Sequence, residues 1–66
     1  MTTPPFKLGD RVILGERAPA GFGGMTGEVL YARLEELDGY WVVAVRFDDD
    51  AIQPEQFYGH QLELLP

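Results

Sequence analysis

Cysteine and serine are absent from this chain, and histidine occurs once. Without cysteine there is no disulfide to staple the fold and no thiolate to hold a metal. Acyl transfer through a Ser or Cys nucleophile is therefore excluded in this chain alone, and Thr2, Thr3 and Thr26 stand in no activating context. His60 supplies one group where metal sites and nucleophilic triads need several. Positive charge is scarce as well: five Lys and Arg stand against eleven Asp and Glu, for a formal net charge of -6. Phosphate backbones are held by clustered cations, so this balance disfavours nucleic acid as a partner. It favours solubility and, at long range, a basic partner. No apolar run approaches the length of a membrane span, and Met1 to Pro5 lacks the basic start and apolar run of an export signal. A cytoplasmic chain with no membrane contact is expected.

The 66 residues present suffice for one domain. A domain of this size buries only about 60% of the surface its unfolded chain exposes. Its stability should be about 3–5 kcal/mol, a margin often raised by self-association or docking. Met1 to Pro5 reads as a flexible tail, since paired prolines favour an extended chain, and residues 6–66 read as the domain.

The pattern after the tail is that of strands. Asp10 to Leu14 predicts the first, with Val12 and Leu14 on one face. Gly15 to Gly24 predicts a long loop, because four glycines and Pro19 deny it helix or strand. Phe22 in its middle is either an anchor tucked against the core or a presented binding residue. Gly27 to Arg33 predicts the second strand, with Val29 and Tyr31 on one face and a bulge or bend at Gly27. Asp38-Gly39 is a hairpin turn signal. Tyr40 to Phe47 is the clearest strand, rich in β-branched and aromatic residues, with Trp41, Val43, Val45 and Phe47 facing the core. Glu55 to Gly59 predicts one tight turn, and Gln61 to Leu64 a last strand with Leu62 and Leu64 inward. Short strands joined by glycine-rich turns, in a chain too short for two sheets, predict an all-β fold: a small five-stranded SH3-like barrel.

Leu8-Gly9-Asp10-Arg11-Val12, then Thr26-Gly27-Glu28-Val29, then Val43-Ala44-Val45-Arg46-Phe47-Asp48, then Leu62-Glu63-Leu64 stand in an order that resembles two families of SH3-like barrels. These are the PsaE subunit of photosystem I and the variable chain of ferredoxin:thioredoxin reductase. The resemblance runs through nearly all of the chain beyond Pro5 and falls mostly on core and turn positions. It implies the barrel fold and an accessory subunit of a larger electron-transport complex. Gly24 to Val29 also resembles the core of a KOW motif, which implies an RNA- or ribosome-associated module. A plasmid-encoded dihydrofolate reductase family builds its active pore from four such barrels. His60-Gln61-Leu62 stands near the comparable place, without that family's Val-Gln-Ile-Tyr run.

The chemistry left to weigh is that of a surface. Asp48-Asp49-Asp50, with Glu55 nearby, offers oxygen ligands, but the spacing matches no established cation loop and reads as a solvated turn that stops the strand. No metal and no cofactor are expected. No catalytic constellation is visible, which leaves catalysis to an assembly with another chain. What remains is apolar residue on the outer face: Ile13, Leu30, Ala32, Tyr40, Val42 and Ala44 fall there by alternation. In a regular hairpin Leu30, Tyr40 and Val42 would form an exposed patch of the kind that marks interfaces. The expected function is a non-enzymatic module that binds another protein or itself, with Phe22, Leu30, Tyr40, Val42 and Tyr58 at the contact.

Overall fold

In the computed structural model residues 4–66 are described, so Met1 to Thr3 of the expected tail lie outside the described residues. Five strands form: β1 Arg11–Leu14, β2 Thr26–Leu34, β3 Trp41–Phe47, β4 Glu55–Tyr58 and β5 Leu62–Leu64. One 3-10 turn, Gly59–Gln61, joins β4 to β5. All pairings are antiparallel, in the order β4-β3-β2-β1-β5, so four strands meander and β5 returns beside β1. Among the described residues no ladder joins β4 to β5, which are the two edges of an open sheet.

One face of this sheet supplies most of the core. Val12 and Leu14 of β1, Val29 of β2, Val43, Val45 and Phe47 of β3, Phe57 of β4 and Leu62 of β5 pack into one cluster with Phe6. Among the described residues no helix layer or second sheet covers that face, so the sheet must coil to bury it. Coiling brings β2 and β3 very close at one position. A Cβ on Gly27 would lie 2.4 Å from the Arg46 carbonyl oxygen, so only glycine fits there. Gly27 therefore marks a close approach, and the bulge expected at it lies three residues later.

The register of β2 against β3 shifts between Val29 and Tyr31. Val29 faces Val45, Leu30 is the extra residue, and Tyr31 faces Ala44. An extra residue exchanges the two faces of everything beyond it. Ala32 consequently packs on the core, and Tyr31, expected inward with Val29, is exposed on the outer face.

Three further expectations are corrected. Glu55 to Gly59 is not one tight turn: residues 55–58 pair with Val45 to Val42 as β4, and the 3-10 turn follows at Gly59. Leu64 pairs with Val12 but is 55% exposed, because β5 is a three-residue edge strand and nothing beyond it covers the side chain. Trp41, placed on the core face, is half-buried at the end of the sheet.

The glycine-rich loop folds back on the sheet. Its stem is closed by Leu14 N–H to Met25 O and Gly24 N–H to Leu14 O, both 2.8 Å. The Phe22 ring stacks on Phe47 at 5.7 Å and meets Phe57 edge-on at 5.3 Å. The Gln61 side chain ties the loop to the 3-10 turn: its Nε2 donates to the Arg17 carbonyl, and its Oε1 accepts the Tyr58 N–H.

Candidate functional site: the tyrosine face of β2, β3 and β4

The outer face divides at the bulge. On the β1 side it is a ladder of paired charges. Arg11 donates two hydrogen bonds to Asp48, at 2.7 and 2.5 Å, and Thr26 Oγ1 donates to the same carboxylate at 2.6 Å. These donors, the Arg11 pair first, hold the Asp48 carboxyl down at about 2. Arg46 reaches Glu28 at 3.3 Å. Two carboxylates of the triple-aspartate turn are thus committed internally: Asp48 binds Arg11, and Asp49 accepts the Ala51 N–H. No group of three potential metal ligands occurs among the described residues.

Beyond the bulge the face changes character. Cross-strand pairing sets Tyr31, Ala44 and Gln56 in one row, and Arg33, Val42 and Tyr58 in the next. A third row follows, because the Glu35 N–H donates to the Tyr40 carbonyl across the hairpin at 2.8 Å. Asp38 shapes that hairpin: its Oδ1 accepts the Tyr40 N–H, and Gly39, at φ +75°, makes the turn that a side chain would strain. Tyr31, Tyr40 and Tyr58 therefore point outward together, 43%, 53% and 41% exposed.

Small residues on β3 lie between large ones on its neighbours. The Gln56 amide donates to the Tyr31 hydroxyl, and the two side chains bridge over Ala44. Val42 is the floor of a hollow walled by Arg33, Glu35, Gln56 and Tyr58. The exposed patch expected of Leu30, Tyr40 and Val42 is corrected accordingly. Val42 and Ala44 are buried, Leu30 is half-buried at the bulge, and Ile13 is half-buried. Of the three, Tyr40 alone is open. Phe22 sits as an anchor against Phe47 and Phe57, half-buried.

Tyr40, Tyr58 and His60 form a compact group of rings. Their centroids are 5.6 Å apart for Tyr40 and Tyr58, and 5.7 Å for each tyrosine with His60. Tyr58 and His60 are nearly parallel at 7°, with Tyr40 set across both. A second hollow opens on the far side, lined by Pro5, Phe6, Tyr40, Trp41 and His60 among others. The ring group is thus a ridge between two hollows.

Tyr40 and Tyr58 are among the residues expected at a contact, and the structure places Tyr31 and His60 on the same face beside them. Tyr31 was hidden by the bulge. His60 was weighed as a ligand, where its spacing two residues after Tyr58 across a turn was the usable signal. No protein-family model, no curated protein and no solved structure matches the chain. No helix among the described residues is long and apolar enough to cross a membrane.

Proposed function

We propose that this chain is a protein-binding module whose contact surface is the outer face of β2, β3 and β4, centred on Tyr40, Tyr58 and His60. The observation that carries this is the ridge of three packed rings, exposed between two hollows. Tyrosine gives a large, amphipathic contact at low entropic cost, and it is enriched at interfaces for that reason. The ridge is pre-organised, because the rings hold one another and the Asp38 turn fixes Tyr40. A small accessory subunit, as the resemblance to the PsaE and reductase variable-chain families implies, is the role that fits such a module. The five-stranded order, with β5 beside β1, supports the SH3-like barrel as its architecture.

The RNA-associated reading has less support. Three of the five basic side chains, Arg11, Arg33 and Arg46, are each engaged by a carboxylate. They have little free charge left to offer phosphate.

Site-specific photo-cross-linking tests the proposal. With p-benzoylphenylalanine in place of Tyr40, covalent adducts to a partner protein are expected in the native cells. The same group in place of Asp49 should give none. Equal yields from both positions, or none from either, overturn it.

A further inference from the structure

We infer that the segment received by this face is basic and that an arginine side chain lies on the tyrosine ridge; the inference rests on the binding surface proposed above. The ridge is bordered by negative charge. Glu35 stands directly across the hairpin from Tyr40, the Asp38 carboxylate accepts the Tyr40 N–H at 3.1 Å, and Glu36 lies in the same turn. Arg33 is bound to Glu35 at 3.0 Å and offsets its charge, and Arg17 lines a separate hollow with Glu16, Glu63 and His60, so among the described residues Asp38 and Glu36 are the carboxylates left without a cation beside the ridge. The Arg33 contact and the Leu37 N–H hold the Glu35 carboxyl below its usual range, so its charge persists into mild acid. A guanidinium laid on a tyrosine ring gains from the ring quadrupole, and its edge donors reach a carboxylate beside the ring.

The ring geometry selects the form of the ligand. A planar cation held between two parallel rings needs them about 7 Å apart, twice an ordinary contact distance. Tyr58 and His60 are parallel at only 5.7 Å, so they fill the space between themselves. The ridge therefore offers no slot between these two rings, and a planar cation meets it from its open side. A second copy of this chain is a poor occupant. A two-fold contact through the ridge would set Glu35, Glu36 and Asp38 against their own equivalents, in a chain already carrying a net charge of -6.

The test is a titration of the nitrogen-15-labelled full chain, followed by NMR, with short peptides of alternating Gly-Arg, Gly-Lys or Gly-Glu. The Gly-Arg peptide should shift the Tyr40, Tyr58 and His60 amides, and the Gly-Lys peptide should bind about fivefold more weakly. Tyr40→Ala should weaken the Gly-Arg peptide by about fivefold, and Tyr40→Leu keeps the comparison valid should the alanine variant lose its fold. Asp50→Asn should leave binding unchanged. Shifts centred on residues 48–50, equal binding of Gly-Lys and Gly-Arg, or no effect of the Tyr40 variants overturns the inference. So does a ridge buried in a dimer of the free chain by light scattering. If cross-links from position 40 map to an acidic or uncharged partner segment, this inference fails and the binding surface stands. If no cross-links form, both fall.

Discussion

Arg11 at the start of β1 and Asp48 just past the end of β3 are joined side chain to side chain by two parallel hydrogen bonds, across 37 positions of sequence. The pair spans β2, whose Thr26 adds a third donor to the same carboxylate. Bidentate geometry of this kind is stronger than a single exposed ion pair. Its pH signature follows from the carboxyl. The Asp48 carboxyl is held down from 3.8 to about 2 in the fold. A depressed value contributes stability that is present above the unfolded value and is lost as pH falls through the folded one. Urea midpoints of the native chain and of Asp48→Asn should therefore differ at neutral pH and converge between about pH 4 and pH 2. A gap that is constant from neutral to acid would show that the charge of Asp48 contributes nothing to stability.

Gly27 carries the tightest constraint in the sheet. Gly27→Ala puts a methyl 2.4 Å from the Arg46 carbonyl oxygen and 2.7 Å from Val45, both held in the ladder. A loss of about 2–4 kcal/mol is expected, most of what so small a domain has. Gly23→Ala is the matched control, since its nearest neighbour would be 3.9 Å away; it should be neutral or stabilise by up to about 1 kcal/mol. Urea denaturation followed by circular dichroism separates the two. Equal effects would mean that the strands can part at Gly27 without cost.

Phe22 decides whether the long loop is part of the fold. Its ring packs on Phe47 and Phe57, so Phe22→Ala should cost about 2 kcal/mol and leave cross-linking from Tyr40 unchanged. Full stability with lost partner capture would reassign Phe22 to the contact surface.

Gln61 fastens the same loop at its other end. Gln61→Ala removes the acceptor of the Tyr58 N–H at 2.9 Å and the donor to Arg17 at 3.1 Å. A cost of about 1 kcal/mol is expected, with faster hydrogen exchange at the Tyr58 amide. Exchange there as slow as in the native chain would show that another group caps this edge of β4.

The parts of the fold that could be read from sequence are those in which local pattern and tertiary role agree. Six of the eight residues from Tyr40 to Phe47 are β-branched or aromatic, and Val43, Val45 and Phe47 face the core as alternation requires. Asp38-Gly39 turns where its chemistry says it should. β4 was not legible, because Glu-Gln-Phe-Tyr between Pro54 and Gly59 presents one inward residue, Phe57, and reads as a turn until β3 is beside it. The burial of Val42 and Ala44 was hidden for a related reason. Alternation says which way a side chain points, and only the neighbouring strands say what lies on top of it: Tyr31 with Gln56 over Ala44, Arg33 and Tyr58 around Val42. Half of the candidate site, Tyr40 and Tyr58, could be named from sequence; Tyr31 depended on a parity that β2 does not carry by itself.

That parity makes Leu30 a phase shifter. Everything before it on β2 keeps company with the charged ladder, and everything after it with the tyrosines. Replacing a side chain on either half alters that half alone. Adding or removing one residue between Val29 and Tyr31 would turn the second half over, sending Tyr31 and Arg33 toward the core and Ala32 to the surface. The length of this short stretch is therefore as constrained as its side chains, and the identity of the exposed surface is stored in a count of residues as much as in their chemistry.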